Sequence, residues 1–295
     1  RALTFSDTQN LDANYDKDFN AVRSGAGGTG SSSDIYYYKY NHGDFINRDF
    51  LSVITVTPTE KLRLTVKPYY SVEDTEILQG VSSGGGLIQK RTRDIERTGF
   101  IAETSYGDSS LKGVLGYLFE AGTMNIYSQN YAITAAGLAY RGYGVFASGG
   151  TSYVNSPYLK LTGALDRLNW QAGLKYFNYA EPPSEGFISP APSYNLVRAA
   201  DLDRQARTYD IWLPTAGVSY VVNDSLQIYS SYGRNFIRPY SYMPLVSTYN
   251  SNRTTFQAQG ITLNDLFSGY KLEESDTIDL GVRYKGERFE IAPTF

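Results

Sequence analysis

The sequence offers few residues that could carry out catalysis. The chain of 295 residues contains no Cys and a single His, His42. A zinc site needs several Cys or His ligands, and a Ser-His mechanism would depend on His42 alone. Glu73, Asp74 and Glu76 cluster in VEDTE, but their spacing does not ensure that their oxygens converge on one cation, and a solvated strand end is favoured. We therefore predict a protein that is not an enzyme and has no metal site and no cofactor.

Two segments contain the residue types that bind ligands. They are the stretch AYRGYGVF and the region that begins within LQIYSSYGRNFIRP. Rigid aromatic rings and Arg side chains capture bulky, often anionic ligands by stacking and by charge-assisted hydrogen bonds. The alternative is that these rings pack against one another. The candidate ligand-binding residues are Tyr140, Arg141, Tyr143, Phe146, Arg234, Phe236, Arg238, Tyr240 and Tyr242.

Nucleotide and nucleic-acid binding are both disfavoured. The stretch SGAGGTGSSS (24–33) has the glycines of a phosphate-binding loop, but no apolar strand precedes it and no Lys-Ser pair or helix follows. A flexible surface loop is the better interpretation. The formal net charge is −3 and the basic residues are scattered, so no basic face for nucleic acid is expected.

Composition indicates a protein built of strands and turns. The chain has 28 Gly and 27 Tyr, and 15% of its residues are aromatic. Tyr suits a half-buried pleated surface, and Gly suits turns and bulges. Mean hydropathy is −0.35, and no apolar run approaches the roughly 18 residues of a membrane helix. Membrane-spanning strands remain compatible with this value because their side chains alternate.

The connections between the predicted strands alternate between short and long. Short polar turns are predicted at 58–61, 107–110, 166–167, 223–225 and 285–288. Long connections are predicted at about 76–91, 121–150, 181–205 and 235–270. An outer-membrane barrel has this asymmetry, with tight turns on one side of the membrane and long loops on the other.

The strands beside the short turns alternate between apolar and polar residues. In LNWQAGLKY, Leu168, Trp170 and Leu174 share a face that opposes the one with Gln171 and Lys175. A soluble β-sandwich gives the same alternation. Strand length and loop asymmetry favour an antiparallel up-and-down transmembrane β-barrel of the all-β class. Polar residues are expected to line its interior, namely Gln171, Lys175, Asp279 and Arg283.

Two stretches resemble a known family. LPTAGVSYVVNDSLQIYSSYGRNFIRP (213–239) is similar to the mid-barrel segment of TonB-dependent outer-membrane receptors, and LEESDTIDLGVRYKGERFEIAPTF (272–295) resembles the next hairpin. The residues that match are Pro214, Gly217, Tyr220, Asn223, Tyr229, Tyr232, Phe236 and Pro239, then Glu274, Ser275, Asp279, Gly281, Arg283 and Gly286. The stretch 156–176 is a weaker third match.

The resemblance implies a 22-stranded barrel that is closed by a plug domain and imports scarce nutrients, commonly ferric siderophores, through the TonB complex. No plug or TonB box is visible, and about ten strands can be counted, so residues 1–295 are predicted to form a partial barrel. The implied partners are a siderophore or similar ligand, the TonB complex through the missing plug, and the outer-membrane lipid of a Gram-negative bacterium. The alternatives are a passive porin or a soluble β-rich binding or adhesion module.

Overall fold

The computed structural model describes residues 32–81, 86–237 and 243–295, together with Gln9 and Arg23. The fold is dominated by one large antiparallel sheet. Its strands are β1 (His42–Leu51), β2 (Ile54–Val56), β3 (Leu62–Val81), β4 (Leu87–Gly107), β5 (Leu111–Thr134), β6 (Gly137–Gly149), β7 (Ser152–Leu165), β8 (Leu168–Glu181), β9 (Ser184–Ile188), β10 (Val197–Arg198), β11 (Arg207–Asn223), β12 (Leu226–Ile237), β13 (Glu273–Lys285) and β14 (Glu290–Ile291).

The helices are short and lie outside this sheet. They are α1 (Met243–Ser251), α2 (Arg253–Ala258) and α3 (Leu263–Ser268), with 3-10 turns at Ser32–Tyr36, Tyr38–Tyr40 and Ala200–Leu202. Within the described part of the chain, no helix has the length and apolar character needed to cross a membrane.

Ten strands follow one another along the sheet in the order β1-β3-β4-β5-β7-β8-β11-β12-β13-β14. Neighbours are antiparallel throughout, and β1 and β14 lie at the two ends of an open sheet. This up-and-down order confirms the predicted all-β class and the partial barrel of about ten strands.

The predicted short turns are confirmed, and hydrogen bonds within the turns hold them. Only 108–110 separate β4 from β5, and the Asp108 carboxylate accepts a hydrogen bond from the Ser110 N–H (3.0 Å). Lys61, in the preceding short turn, forms a 2.9 Å ion pair with the same carboxylate. The turn at Asp166 uses a left-handed backbone conformation (φ 51°), which Asp tolerates better than most residues.

The prediction of long loops is wrong for two connections, which consist mostly of paired strands. Strands β3 and β4 remain paired up to Val81 and Leu87, so most of 76–91 is strand. The region 121–150 is the hairpin of β5 and β6, which turns at 135–136. Ladder hydrogen bonds satisfy the backbone here, so the strands extend well past the expected apolar band. The other two connections, 181–205 and 235–270, contain β9, β10 and the helices.

The register of the sheet separates two faces of opposite character. Leu64, Leu174 and Leu280 are 38%, 44% and 56% exposed, so they do not point into a shared core. We call the side that carries them the apolar face. The other side, which we call the polar face, carries Gln171 and Asp279; the pairs Gln171–Gly217 and Ser231–Asp279 place them together. A broad exposed apolar face is what lipid contact requires and what a water-soluble module would avoid.

Among the described residues, four glycines lie opposite an aromatic residue whose ring occupies the space that a Cβ atom would fill. A Cβ atom on Gly116 would overlap the ring of Tyr158, and one on Gly281 would overlap the ring of Tyr229. The other two pairs are Gly99 with Tyr69 and Gly163 with Trp170. Each ring lies over the space that a side chain would fill, an arrangement that pins strand register.

We expect Gly116→Ala to destabilise the barrel by about 1–3 kcal/mol, because Tyr158 or the backbone must move. The measurement is the urea midpoint of the full-length protein reconstituted in lipid. Gly122→Ala is the matched control. It lies on the same face of β5, and its Cβ would lie 3.6 Å from the nearest atom. Equal midpoints for the two variants would contradict this role of the ring.

Candidate ligand-binding site

A network of carboxylates and hydroxyls lies on the polar face of β3, β4, β5 and β7. The Glu103 carboxylate accepts hydrogen bonds from Lys67 Nζ and the Tyr158 hydroxyl, both at 2.8 Å. The Tyr69 hydroxyl donates to Glu120 at 2.7 Å. Each partly buried carboxylate therefore has a partner, as polar groups along a barrel wall require.

The polar residues predicted to line the interior share this face. Lys175 lies opposite Tyr158 on β7, and Asp279 accepts a hydrogen bond from Ser231 Oγ (3.1 Å). The same continuous register places Gln171 and Arg283 on the polar face. Strand parity alone was sufficient to group them.

The structure brings Tyr140, Arg141, Tyr143 and Phe146 together on β6 instead of on a loop. Tyr143 and Phe146 lie with ring centroids 5.0 Å apart, and both contact Tyr127 of β5. The register of β4 and β5 is unbroken, so Tyr127 and these rings continue the apolar face. These rings therefore pack against one another, which is the alternative to ligand contact that the sequence left open.

Arg141 differs from its neighbours because it contacts an aromatic residue of another segment. Its guanidinium donates to the Tyr194 hydroxyl at 3.0 Å and lies 5.8 Å from the centre of that ring. Tyr140 also meets Tyr194, at 6.3 Å between centroids. Tyr194, in the connection after β9, was not predicted as part of the site. Sequence periodicity cannot relate two segments more than fifty residues apart.

The structure does not place the second group of predicted ligand-binding residues beside the first group on β6. Arg234 and Phe236 lie on β12, four strands along the sheet from β5. Arg234 forms a bidentate pair with Asp276 of β13 (3.0 and 3.2 Å). The Phe236 ring lies 4.6 Å from that of Phe177. Three further predicted residues lie outside the described residues, namely Arg238, Tyr240 and Tyr242.

The helices pack onto the connection between β9 and β11 and form what we call the cap. Its buried residues are Ala199, Leu202, Val246, Tyr249, Leu263 and Phe267. A cavity of about 170 Å³ lies between the cap and the aromatic residues of β6, with Phe146, Phe187, Arg204 and Asn250 in its lining. This volume is below the roughly 300 Å³ at which small-molecule pockets begin, so a bulky ligand would need a more open surface.

Asp201 links the two segments of the cap. Its carboxylate accepts a bidentate pair from Arg253 (2.5 and 2.7 Å) and hydrogen bonds from Gln257 (3.0 Å) and the Tyr249 hydroxyl (3.2 Å). The Arg253 hydrogen bonds hold the pKa of Asp201 below its usual range. Burial, followed by the charge of Asp201, raises the pKa of Tyr249 to about 12. Because the pKa of Asp201 is lowered in the folded protein, its ion pair with Arg253 stabilises the cap at every pH above the unfolded-state pKa of about 3.9. This stabilisation is lost as the pH falls below that value.

Comparison with known families identifies the chain. The family described as "TonB dependent receptor-like, beta-barrel" matches residues 1–292. The chain belongs to the TonB-dependent receptor β-barrel family. In that family the apolar face of the sheet faces lipid, and the polar face lines the barrel interior. Comparison with curated proteins gave no match.

Solved receptors share the fold at low sequence identity. The ferric citrate transporter FecA superposes with a TM-score of 0.54 at 14% identity, over 82% of this chain and 33% of that one. The ferric yersiniabactin uptake receptor FyuA from Yersinia pestis has a TM-score of 0.59 at 12% identity, over 85% and 35%. The copper transporter OprC has a TM-score of 0.59 at 14% identity, over 85% and 37%. The chain thus spans about a third of these receptors.

We expect Asp201→Asn to loosen the cap, because Arg253 loses a charged partner that contributes about 1.5–3 kcal/mol. Amide hydrogen exchange in α1 and α2 should become roughly 10- to 100-fold faster in the full-length protein. Asp203→Asn is the control, since Asp203 pairs with Arg198 inside one segment (2.5 and 2.6 Å). If both variants exchanged alike, Asp201 would not link the segments.

Proposed function

We propose that this chain forms part of the wall and rim of an outer-membrane receptor that imports a ferric siderophore or similar metal chelate. The supporting observation is the family match over residues 1–292 together with a sheet that has one apolar and one polar face. Two of the three similar receptors are described by a ferric ligand and one by copper. Binding and gating are the activities expected of such a wall, without covalent chemistry.

The partners follow from this function. Lipid of the outer membrane of a Gram-negative bacterium would contact the apolar face. The TonB complex would act through a plug domain, and the polar face would line the interior beside that plug.

First contact with the cargo is assigned to the outer parts of the hairpins. Tyr140 is 38% exposed, and Arg141 is exposed beside Tyr194. An amphipathic ring beside a guanidinium offers stacking and charge-assisted hydrogen bonds to one ligand. The other predicted residues remain candidates for ligand contact. Four of them already contact other side chains of the protein: Tyr143, Phe146, Arg234 and Phe236. The other three are predicted from the sequence alone: Arg238, Tyr240 and Tyr242.

Energised uptake tests the function. Cells that express the full-length protein should accumulate radiolabelled iron from a siderophore panel, and deletion of TonB or collapse of the proton gradient should abolish that accumulation. A passive porin would keep transporting after either treatment. Uptake that continues without TonB and without the proton gradient would indicate a passive porin instead of a receptor.

We expect Tyr140→Ala and Arg141→Ala each to weaken binding of the imported chelate about 5- to 100-fold, as removal of a 1–3 kcal/mol contact does. The measurement is a fluorescence titration of the purified full-length receptor. Tyr153→Ala is the matched control, because Tyr153 is similarly exposed (44%) but lies on β7 with its ring against Phe119 of β5. Unchanged affinity in both test variants would remove these residues from the site.

A further inference from the structure

Charged residues of β3, β4 and β5 are divided unevenly between the two faces. The polar face of these three strands carries six basic and three acidic side chains, whereas the apolar face carries one basic and four acidic. The polar face thus has a formal charge of +3 and the opposite face −3, in a chain whose total is −3. We call the six basic residues the basic wall: Arg63, Lys67, Arg91, Arg93, Arg97 and Lys112.

Three arginines of the basic wall form a row along β4. Residues at even spacing share a strand face, so Arg91, Arg93 and Arg97 extend over about 20 Å at roughly 3.4 Å per residue. Arg93 is paired with Glu73 of β3 (3.1 Å). Arg91 Nε donates to the neutral Gln89 side chain (2.8 Å). Among the described residues, no carboxylate forms an ion pair with Arg91 or Arg97.

The neighbours of this row leave the guanidinium groups accessible. Arg97 lies between Ser71 of β3, which has a small side chain, and Gly122 of β5, which has none. A Cβ on Gly122 would lie 3.7 Å from Arg97 Cγ, which places the aliphatic part of Arg97 across that glycine. Arg91 lies beside Ser128, and both arginines are exposed.

The positive charge continues toward the short-turn end of the strands. A cavity of about 310 Å³ there is lined by Arg63, Lys67 and Lys112 with a single acid, Glu103. Lys67 neutralises Glu103, so the charges of Arg63 and Lys112 are left without a pairing carboxylate among the described residues. The basic wall therefore extends along the interior from the outer parts of the hairpins to the opposite end.

We infer that the basic wall is an interior path for a polyanionic cargo, and that the receptor selects chelates bearing several carboxylate, catecholate or phosphate oxygens. Guanidinium groups form bidentate hydrogen bonds with such oxygens. A charged wall inside a low-dielectric barrel also concentrates ligands of opposite charge. This inference rests on the proposed transport function and adds the charge class of its cargo.

The test compares two iron chelates of similar size, a trianionic ferric tricatecholate and an uncharged ferric trihydroxamate, titrated into the purified full-length receptor. The wild type should bind the trianion more tightly, with an affinity that falls as salt rises. Arg91→Gln and Arg97→Gln should each weaken that binding roughly 10- to 100-fold and leave the uncharged chelate unaffected. Lys90→Gln is the matched control, since Lys90 adjoins Arg91 but pairs with Glu76 on the other face (2.6 Å).

Three results would overturn the inference: preference for the uncharged chelate, no binding of the trianion, or test variants that match Lys90→Gln. Uptake in the same cells separates this failure from that of the transport function. TonB-dependent import of the uncharged chelate alone would refute the basic wall and keep the receptor. Loss of all energised uptake would refute the receptor itself.

Discussion

Backbone hydrogen bonding between neighbouring strands is the constraint on which this structure depends. Hydrocarbon offers no partner to a peptide group, so every N–H and C=O within the membrane must pair inside the sheet. The register between β4 and β5 accordingly runs without interruption along the whole of β4. Because side chains alternate, this one register decides which residues meet lipid and which meet the interior; a slip of one residue would exchange them.

Packing and electrostatics both follow from that register. It sets Gly116 against Tyr158 and Gly281 against Tyr229, so that an aromatic ring fills the space beside each glycine. It also sends Arg91, Arg93 and Arg97 to the interior and the acidic Asp94 to the outer side. One strand of ordinary composition thereby presents two surfaces of opposite charge.

Beyond the membrane the chain no longer needs a strict ladder, and recognition elements occur there. Strands β5 and β6 continue as a hairpin with two irregularities in its register, which carries the contacting rings of Tyr140, Tyr143 and Phe146. The cap is held by a buried apolar cluster and by the Asp201–Arg253 pair. Rigid aromatic rings beside a cap with its own apolar cluster provide a preorganised surface.

Most strands of the sheet, their short turns and the two faces could be predicted from the sequence, because period-two alternation and turn chemistry are local properties. The strand pairing within 76–91 and 121–150 could not, and these segments were predicted as loops. The sequence also grouped Gln171, Lys175, Asp279 and Arg283 correctly by parity. Strand pairing was needed to place Tyr140 and Arg141 on β6, to bring Tyr194 to them, and to pair Arg234 with Asp276. These contacts join segments far apart in the chain, and strand order and register, not spacing, bring them together. The basic wall combines both sources: alternation places each arginine, and the pairing of β3, β4 and β5 makes them one surface.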